Sequence, residues 1–172
     1  MNRMLKSVDT LVYLFIGPFG VLYVFPHAFL SWEMQWGIEL PQYQMLDRIG
    51  ALLMKLGGML TLWCAVLKYL HSRDSISPLE RPAGMVTSGP YRLVRHPMMW
   101  SLNVVLIGEI LTYSSPLIAL WLIIWMRFAA VYIARYEEPY LASVFGDSYV
   151  DYCRKTPRWL PFTTPTARVS MD

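Results

Sequence analysis

Long apolar stretches alternate with short polar ones along the chain. Residues 10–32 contain no Asp, Glu, Lys or Arg, a length that crosses a hydrocarbon core of about 30 Å. The stretch predicts a first helix from about Thr10 to Trp32, kinked where Gly17-Pro18 and Pro26 interrupt it. Arg3 and Lys6 ahead of an apolar run are also the start of a signal peptide, but no small-x-small cleavage pattern follows at a suitable place. The expectation is therefore a retained membrane helix, with Trp32 and Trp36 in the interfacial aromatic belt. Residues 33–45, carrying Glu33 and Glu39, read as a loop. A second helix is expected from about Met45 to Leu70, with Asp47, Arg48, Lys55 and Lys68 along it. Residues 71–97 are polar and rich in Pro and Gly, which predicts a folded loop. Residues 98–126 have Glu109 as their only charge, and Ser114-Ser115-Pro116 divides this part of the chain into a helical hairpin. The fourth helix is expected to end near Ala134. Beyond it Tyr140, Leu141, Val144, Phe145, Tyr149 and Tyr152 recur at helical spacing, with Asp147 and Asp151 on another face. That pattern predicts one amphipathic helix lying on the membrane or capping the bundle.

Composition and charge turn these stretches into a topology. Hydrophobic residues make up 55% of the 172 residues and charged ones 16%, against about 25% charged in a soluble domain. The net charge of +3 is too small to argue for a nucleic-acid partner. Cys64 and Cys153 suit neither a disulfide framework nor a zinc spacing, so no metal site is expected. If the N-terminus lies inside, every loop Lys and Arg falls in the inner segments 1–9, 71–97 and 135–172. None falls in the outer segments 33–45 and 113–116. The expectation is an all-α, multi-pass membrane bundle of about four transmembrane helices, both termini cytoplasmic, with a cytoplasmic C-terminal amphipathic helix. It would form one membrane domain over 1–172: two spans in 1–70, a cytoplasmic loop at 71–97, a hairpin at 98–134 and a C-terminal segment at 135–172.

Candidate chemistry gathers on the cytoplasmic side. Pro97 suits the first turn of a helix, where its missing N–H costs nothing. His96 then stands at the helix entrance, beside free N–H groups and the positive dipole end, a place suited to a carboxylate or phosphate. The plainer alternative makes Arg92, Arg95 and His96 juxtamembrane charges touching anionic lipid. Glu137-Glu138 follow the fourth helix at the same level. By themselves they are a solvated helix start. Together with the basic loop they could receive a zwitterionic ligand bearing an ammonium and a carboxylate. Lys55, Asn103, Glu109 and Arg127 lie within predicted spans, where charges usually face the bundle interior. Arg127 is a candidate for binding an anionic part of a substrate, with an interhelical hydrogen-bond network as the alternative.

Gly89-Pro90-Tyr91-Arg92-Leu93-Val94-Arg95-His96-Pro97 resembles the G-P-Y-R-x-x-R-H-P stretch of the isoprenylcysteine carboxyl methyltransferase and phospholipid methyltransferase group. Glu137-Glu138, Leu141, Phe145-Gly146, Tyr149, Tyr152 and Pro157-Arg158-Trp159-Leu160-Pro161 resemble its C-terminal pattern. The similarity covers about residues 78–161. Met99 and Ser101 stand where the family often has Tyr and Gly, and Pro139 after the glutamate pair is unusual. The resemblance implies S-adenosylmethionine-dependent methyl transfer at the cytoplasmic membrane face. Its acceptor would be lipophilic or small: a phospholipid amine, an apolar or prenylated carboxylate, or a thiol. By motif, Gly89, Tyr91, Arg95, His96 and Pro97 would form the cofactor pocket and Glu137 or Glu138 would hold the methionyl ammonium. Arg95, His96 and Arg127 would serve catalysis, with His96 as a positioning residue or a base. Sterol reductases carry a related R-H-P stretch and use NADPH, so a membrane reductase and a non-catalytic member of the scaffold are the alternatives.

Overall fold

The computed structural model describes residues 17–38, 40–72 and 84–161. The start of the first helix, the stretch holding Arg73, Pro78, Arg81 and Pro82, and the tail with Arg168 lie outside them. Helix α1, Phe25–Gln35, continues a π turn at Gly20–Val24. Helix α2 spans Gln44–Ser72, α3 Pro97–Tyr113 and α4 Pro116–Tyr132. A second π turn, Ile133–Glu137, joins α4 to α5, Glu138–Phe145, and α6 spans Asp147–Lys155. The fold is all-α, with no strand among the described residues. Two helical stretches, Gln44–Lys68 and Pro116–Phe145, are long and apolar enough to cross a membrane.

Helices α2 and α3 approach backbone to backbone because small residues face each other. A Cβ on Gly57 would lie 2.9 Å from the Ser101 carbonyl, and one on Gly108 would lie 2.7 Å from the Gly50 carbonyl. Ser101 is fully buried in this seam. Its hydroxyl donates to the Met98 carbonyl at 2.7 Å and accepts from the Thr61 hydroxyl at 2.8 Å. Serine is thus the small residue that this position requires, and both its hydrogen-bonding functions are used.

Pro26 interrupts α1 as expected, and the interruption takes the form of a π turn. The Phe25 N–H reaches the Gly20 carbonyl, and Pro26 has no N–H to repeat that bond onto Val21. The Trp121 indole N–H bonds the Val21 carbonyl instead, at 3.1 Å. Val21, Leu106 and Ile118 form the centre of the apolar cluster that seats α1 on the α3–α4 hairpin.

Three expectations are corrected or refined. Glu33 is not a loop residue: α1 runs on to Gln35, and Glu33 is only 5% exposed. Its Oε1 accepts from the Ser115 hydroxyl and the Leu117 N–H, both at 2.8 Å, so the N-terminus of α4 neutralises it. Helix α4 ends at Tyr132, close to the expected end near Ala134, but the chain stays helical beyond it. The Glu138 N–H bonds Ile133, and this π turn carries the chain into α5 although Pro139 lacks a donor. The amphipathic stretch is not one helix, because Gly146, at φ +55° and ψ −132°, divides it in a conformation reserved for glycine. Among the membrane charges, Glu109 is buried, but Lys55 and Arg127 lie exposed on the outside of the bundle rather than within it.

Candidate functional site

The loop entering α3 is held against α2 by Gly89. Its φ is +59°, and a Cβ there would come within 2.9 Å of Leu67 Cδ1. A 3-10 turn at Gly89–Arg92 follows. Tyr91 is buried, and its carbonyl accepts a 2.6 Å hydrogen bond from the Tyr152 hydroxyl of α6. Burial pushes the hydroxyls of Tyr91 and Tyr152 well above the ordinary tyrosine range, so Tyr152 keeps the proton it donates.

Arg95 ties this loop to the C-terminal segment. Its Nε donates to the Thr156 carbonyl at 2.8 Å, Nη2 to the Cys153 carbonyl at 2.8 Å, and Nη1 to Glu138 Oε1 at 3.1 Å. Its backbone N–H bonds the Pro157 carbonyl at 3.0 Å. Trp100 adds an indole hydrogen bond to the Trp159 carbonyl. Arg158 approaches Glu138 from the other side, with Nε 2.9 Å from Oε1 and Nη2 against Oε2. Both oxygens of Glu138 are therefore engaged by two guanidinium groups, the arrangement a buried carboxylate needs.

His96 stands between the two glutamates. Its Nδ1 is 3.5 Å from Glu137 Oε2 and its Nε2 is 3.5 Å from Glu138 Oε1. Both contacts are ion-pair distances, longer than an ordinary hydrogen bond. His96 Nε2 and Glu137 Oε2 are buried atoms that have these 3.5 Å contacts and no hydrogen bond of ordinary length among the described residues. Burial also pushes the Tyr149 hydroxyl and the Cys153 thiol up, so both groups around this corner stay neutral. Arg95 and His96 are 4% and 6% exposed, too buried to be charges lying on a lipid surface; Arg92 is exposed.

Of the residues singled out in sequence, the structure brings Arg95, His96, Pro97, Glu137 and Glu138 together, with Gly89 and Tyr91 shaping the loop behind them. Arg127 is not among them. It is exposed on α4 and lies ten residues before Glu137, about 15 Å along the helix. Sequence reasoning left Arg158 without a role, although it lies in the closing P-R motif and completes the Glu138 cluster. The carbonyls of Cys153 and Thr156 carried no signal at all, because any residue supplies one. Met99, in the place of the family's tyrosine, is half-buried in the first turn of α3.

The phospholipid methyltransferase family pattern matches residues 46–148. The chain is 36% identical over 80 residues to protein-S-isoprenylcysteine O-methyltransferase B of Arabidopsis thaliana, covering 45% of this chain and 40% of that protein. It is 35% identical over 83 residues to protein-S-isoprenylcysteine O-methyltransferase of Schizosaccharomyces pombe, covering 45% and 33%. It is also 30% identical over 140 residues to the cobalt-zinc-cadmium resistance protein CzcN of Cupriavidus metallidurans, covering 80% and 56%. The chain spans between a third and somewhat over half of the length of these relatives. No solved structure matches it significantly.

Proposed function

The chain belongs to the phospholipid methyltransferase family, and from that premise we propose that it is an S-adenosylmethionine-dependent membrane methyltransferase. The cluster of His96, Glu137 and Glu138, in which Glu137 Oε2 and His96 Nε2 have only 3.5 Å ion-pair contacts and no ordinary hydrogen bond, is the observation that supports it. These atoms fit the implied cofactor: an ammonium needs an acceptor that no strong hydrogen bond already occupies, and Glu137 Oε2, 3.5 Å from His96 Nδ1, is one. When bound, S-adenosylmethionine supplies an electrophilic sulfonium methyl group with a neutral thioether as its leaving group.

The two glutamates divide the work. Glu138 is saturated by Arg95 and Arg158 and holds the loop and the C-terminal segment together. Glu137 keeps an oxygen in reserve, and its side chain is 23% exposed, so it is the glutamate that would receive the ammonium. His96 orients Glu137 from one side and is itself backed by Glu138. For an amine or thiol acceptor its Nε2 would take the proton, and for a carboxylate acceptor no base is needed. Burial of the cluster keeps water from the reacting groups, and the Arg95 ties hold those groups in one geometry.

The basic segments support four spans with both termini and this cluster at the cytoplasmic face. The acceptor would be lipophilic or small: a phospholipid amine, an apolar or prenylated carboxylate, or a thiol. Relatives named as isoprenylcysteine O-methyltransferases favour the apolar carboxylate, and the family's own description favours the phospholipid amine. Arg127 would meet only an anionic part of a long acceptor, far from the reacting group.

Calorimetric titration of the detergent-solubilised protein with S-adenosylmethionine, and separately with NADPH, tests this. S-adenosylmethionine should bind, and Glu137→Gln should weaken it at least about tenfold, the worth of a charge-assisted hydrogen bond. Binding of NADPH alone would make the protein a reductase. Binding of neither by a folded sample would leave a non-catalytic member of the family.

A further inference from the structure

Two polar atoms inside the α3–α4 hairpin have no partner among the described residues, and they lie away from the cofactor cluster. Asn103 Oδ1 is an acceptor, Trp125 Nε1 is a donor, and both are buried. Their places in the hairpin match. Asn103 is eleven residues before Ser114, and Trp125 is ten residues after Ser115. Each is thus about 16 Å from the turn at 1.5 Å per residue. Trp125 packs on the cluster of Val21, Leu106 and Ile118, and Asn103 precedes Leu106, a member of that cluster, by about one helical turn on α3. A buried donor and a buried acceptor at one depth, without a hydrogen-bond partner among the described residues, cost free energy in a membrane interior.

We infer that Asn103 and Trp125 form a subsite for an uncharged linkage in the methyl acceptor, a hydroxyl beside an ester carbonyl. The inference rests on the methyltransferase reading. The Trp125 N–H would donate to the carbonyl and Asn103 Oδ1 would accept from the hydroxyl, so one group of this kind satisfies both atoms. A plain alkyl chain satisfies neither. The linkage is uncharged because neither of the charges on α3 and α4 faces the pair. Arg127, two residues beyond Trp125, is turned about 200° around α4 and is exposed on the outside. Glu109, six residues beyond Asn103 on α3, lies about 9 Å nearer the turn.

The test compares two single-chain lipids with the same headgroup, 1-palmitoyl-lysophosphatidylethanolamine and hexadecylphosphoethanolamine. Only the first has the ester and the hydroxyl. Native mass spectrometry of the full chain in detergent reads their binding, with S-adenosylmethionine titrated alongside. The lysolipid should bind about fivefold tighter, the worth of one net hydrogen bond. Trp125→Phe and, separately, Asn103→Leu should remove the preference and leave S-adenosylmethionine binding unchanged. Equal binding of the two lipids, binding of neither, or a preference that survives both variants overturns the subsite. Failure of S-adenosylmethionine to bind the wild-type protein overturns the methyltransferase reading instead, and the lipid comparison remains readable on its own.

Discussion

Helices α3 and α4 each begin with a proline, Pro97 and Pro116, and each start lies beside buried glutamate. At α4 the polar groups pair off completely. Ser115 caps the Ile118 N–H at 3.1 Å, and Glu33 accepts from Leu117 and from Ser115 itself. At α3 the capping residue, His96, makes no side-chain cap. Its ring faces two carboxylates at 3.5 Å, and Glu138 is occupied by guanidinium groups. Buried atoms of His96 and Glu137 remain without an ordinary hydrogen bond among the described residues. The same local device, proline in the first turn beside an acid, is closed at one end of the hairpin and open at the other. A helix start that supplies its own anion is a joint. One that leaves buried groups without hydrogen bonds is the candidate for a ligand.

That contrast can be tested from its strongest point outward. Glu138→Gln should have the largest effect, because it leaves the buried Arg95 guanidinium without its counter-charge. A loss of about 3–5 kcal/mol is expected, read as a large drop in the thermal unfolding midpoint in detergent; an unchanged midpoint would mean that Glu138 does not tie the loop to the C-terminal segment. Glu33→Gln should cost less, about 1 kcal/mol, since the amide keeps an acceptor oxygen for Leu117 and loses only the charge at the helix start. Its S-adenosylmethionine titration should match the wild type, and weakened binding would erase the distinction between joint and site. Arg127→Met should do least. Stability should stay within about 0.5 kcal/mol and cofactor affinity should hold, while the KM of an anionic acceptor rises. If that KM does not move, Arg127 has no part in acceptor binding.

Much of the architecture was legible in local patterns. The apolar stretches predicted α2, α3 and α4 to within a few residues, the Ser114-Ser115-Pro116 turn predicted the hairpin, and Pro97 opens α3 as expected. The motif resemblance pointed to both sides of the candidate site, Arg95-His96-Pro97 and Glu137-Glu138, and the structure brings Arg95 and His96 within 3.5 Å of the glutamates. These features are encoded over a few residues, through periodicity, turn chemistry and motif spacing.

Other features depend on partners far away in the chain. Glu33 looks like a loop residue because an isolated acid is usually solvated, and only the start of α4, more than eighty residues on, makes its burial possible. Ser101 looks like a departure from the family until Gly57 and Thr61 are seen against it. The two glutamates are neighbours of the same chemical type, and nothing local distinguishes them. The tertiary structure alone brings Arg95 and Arg158 to Glu138 and leaves Glu137 with an oxygen to spare. Sequence by itself determined where helices form and which residue types gather at one end of them. Which of those groups are paired and which stand open was decided only by packing, because pairing is a property of two distant side chains and not of either one.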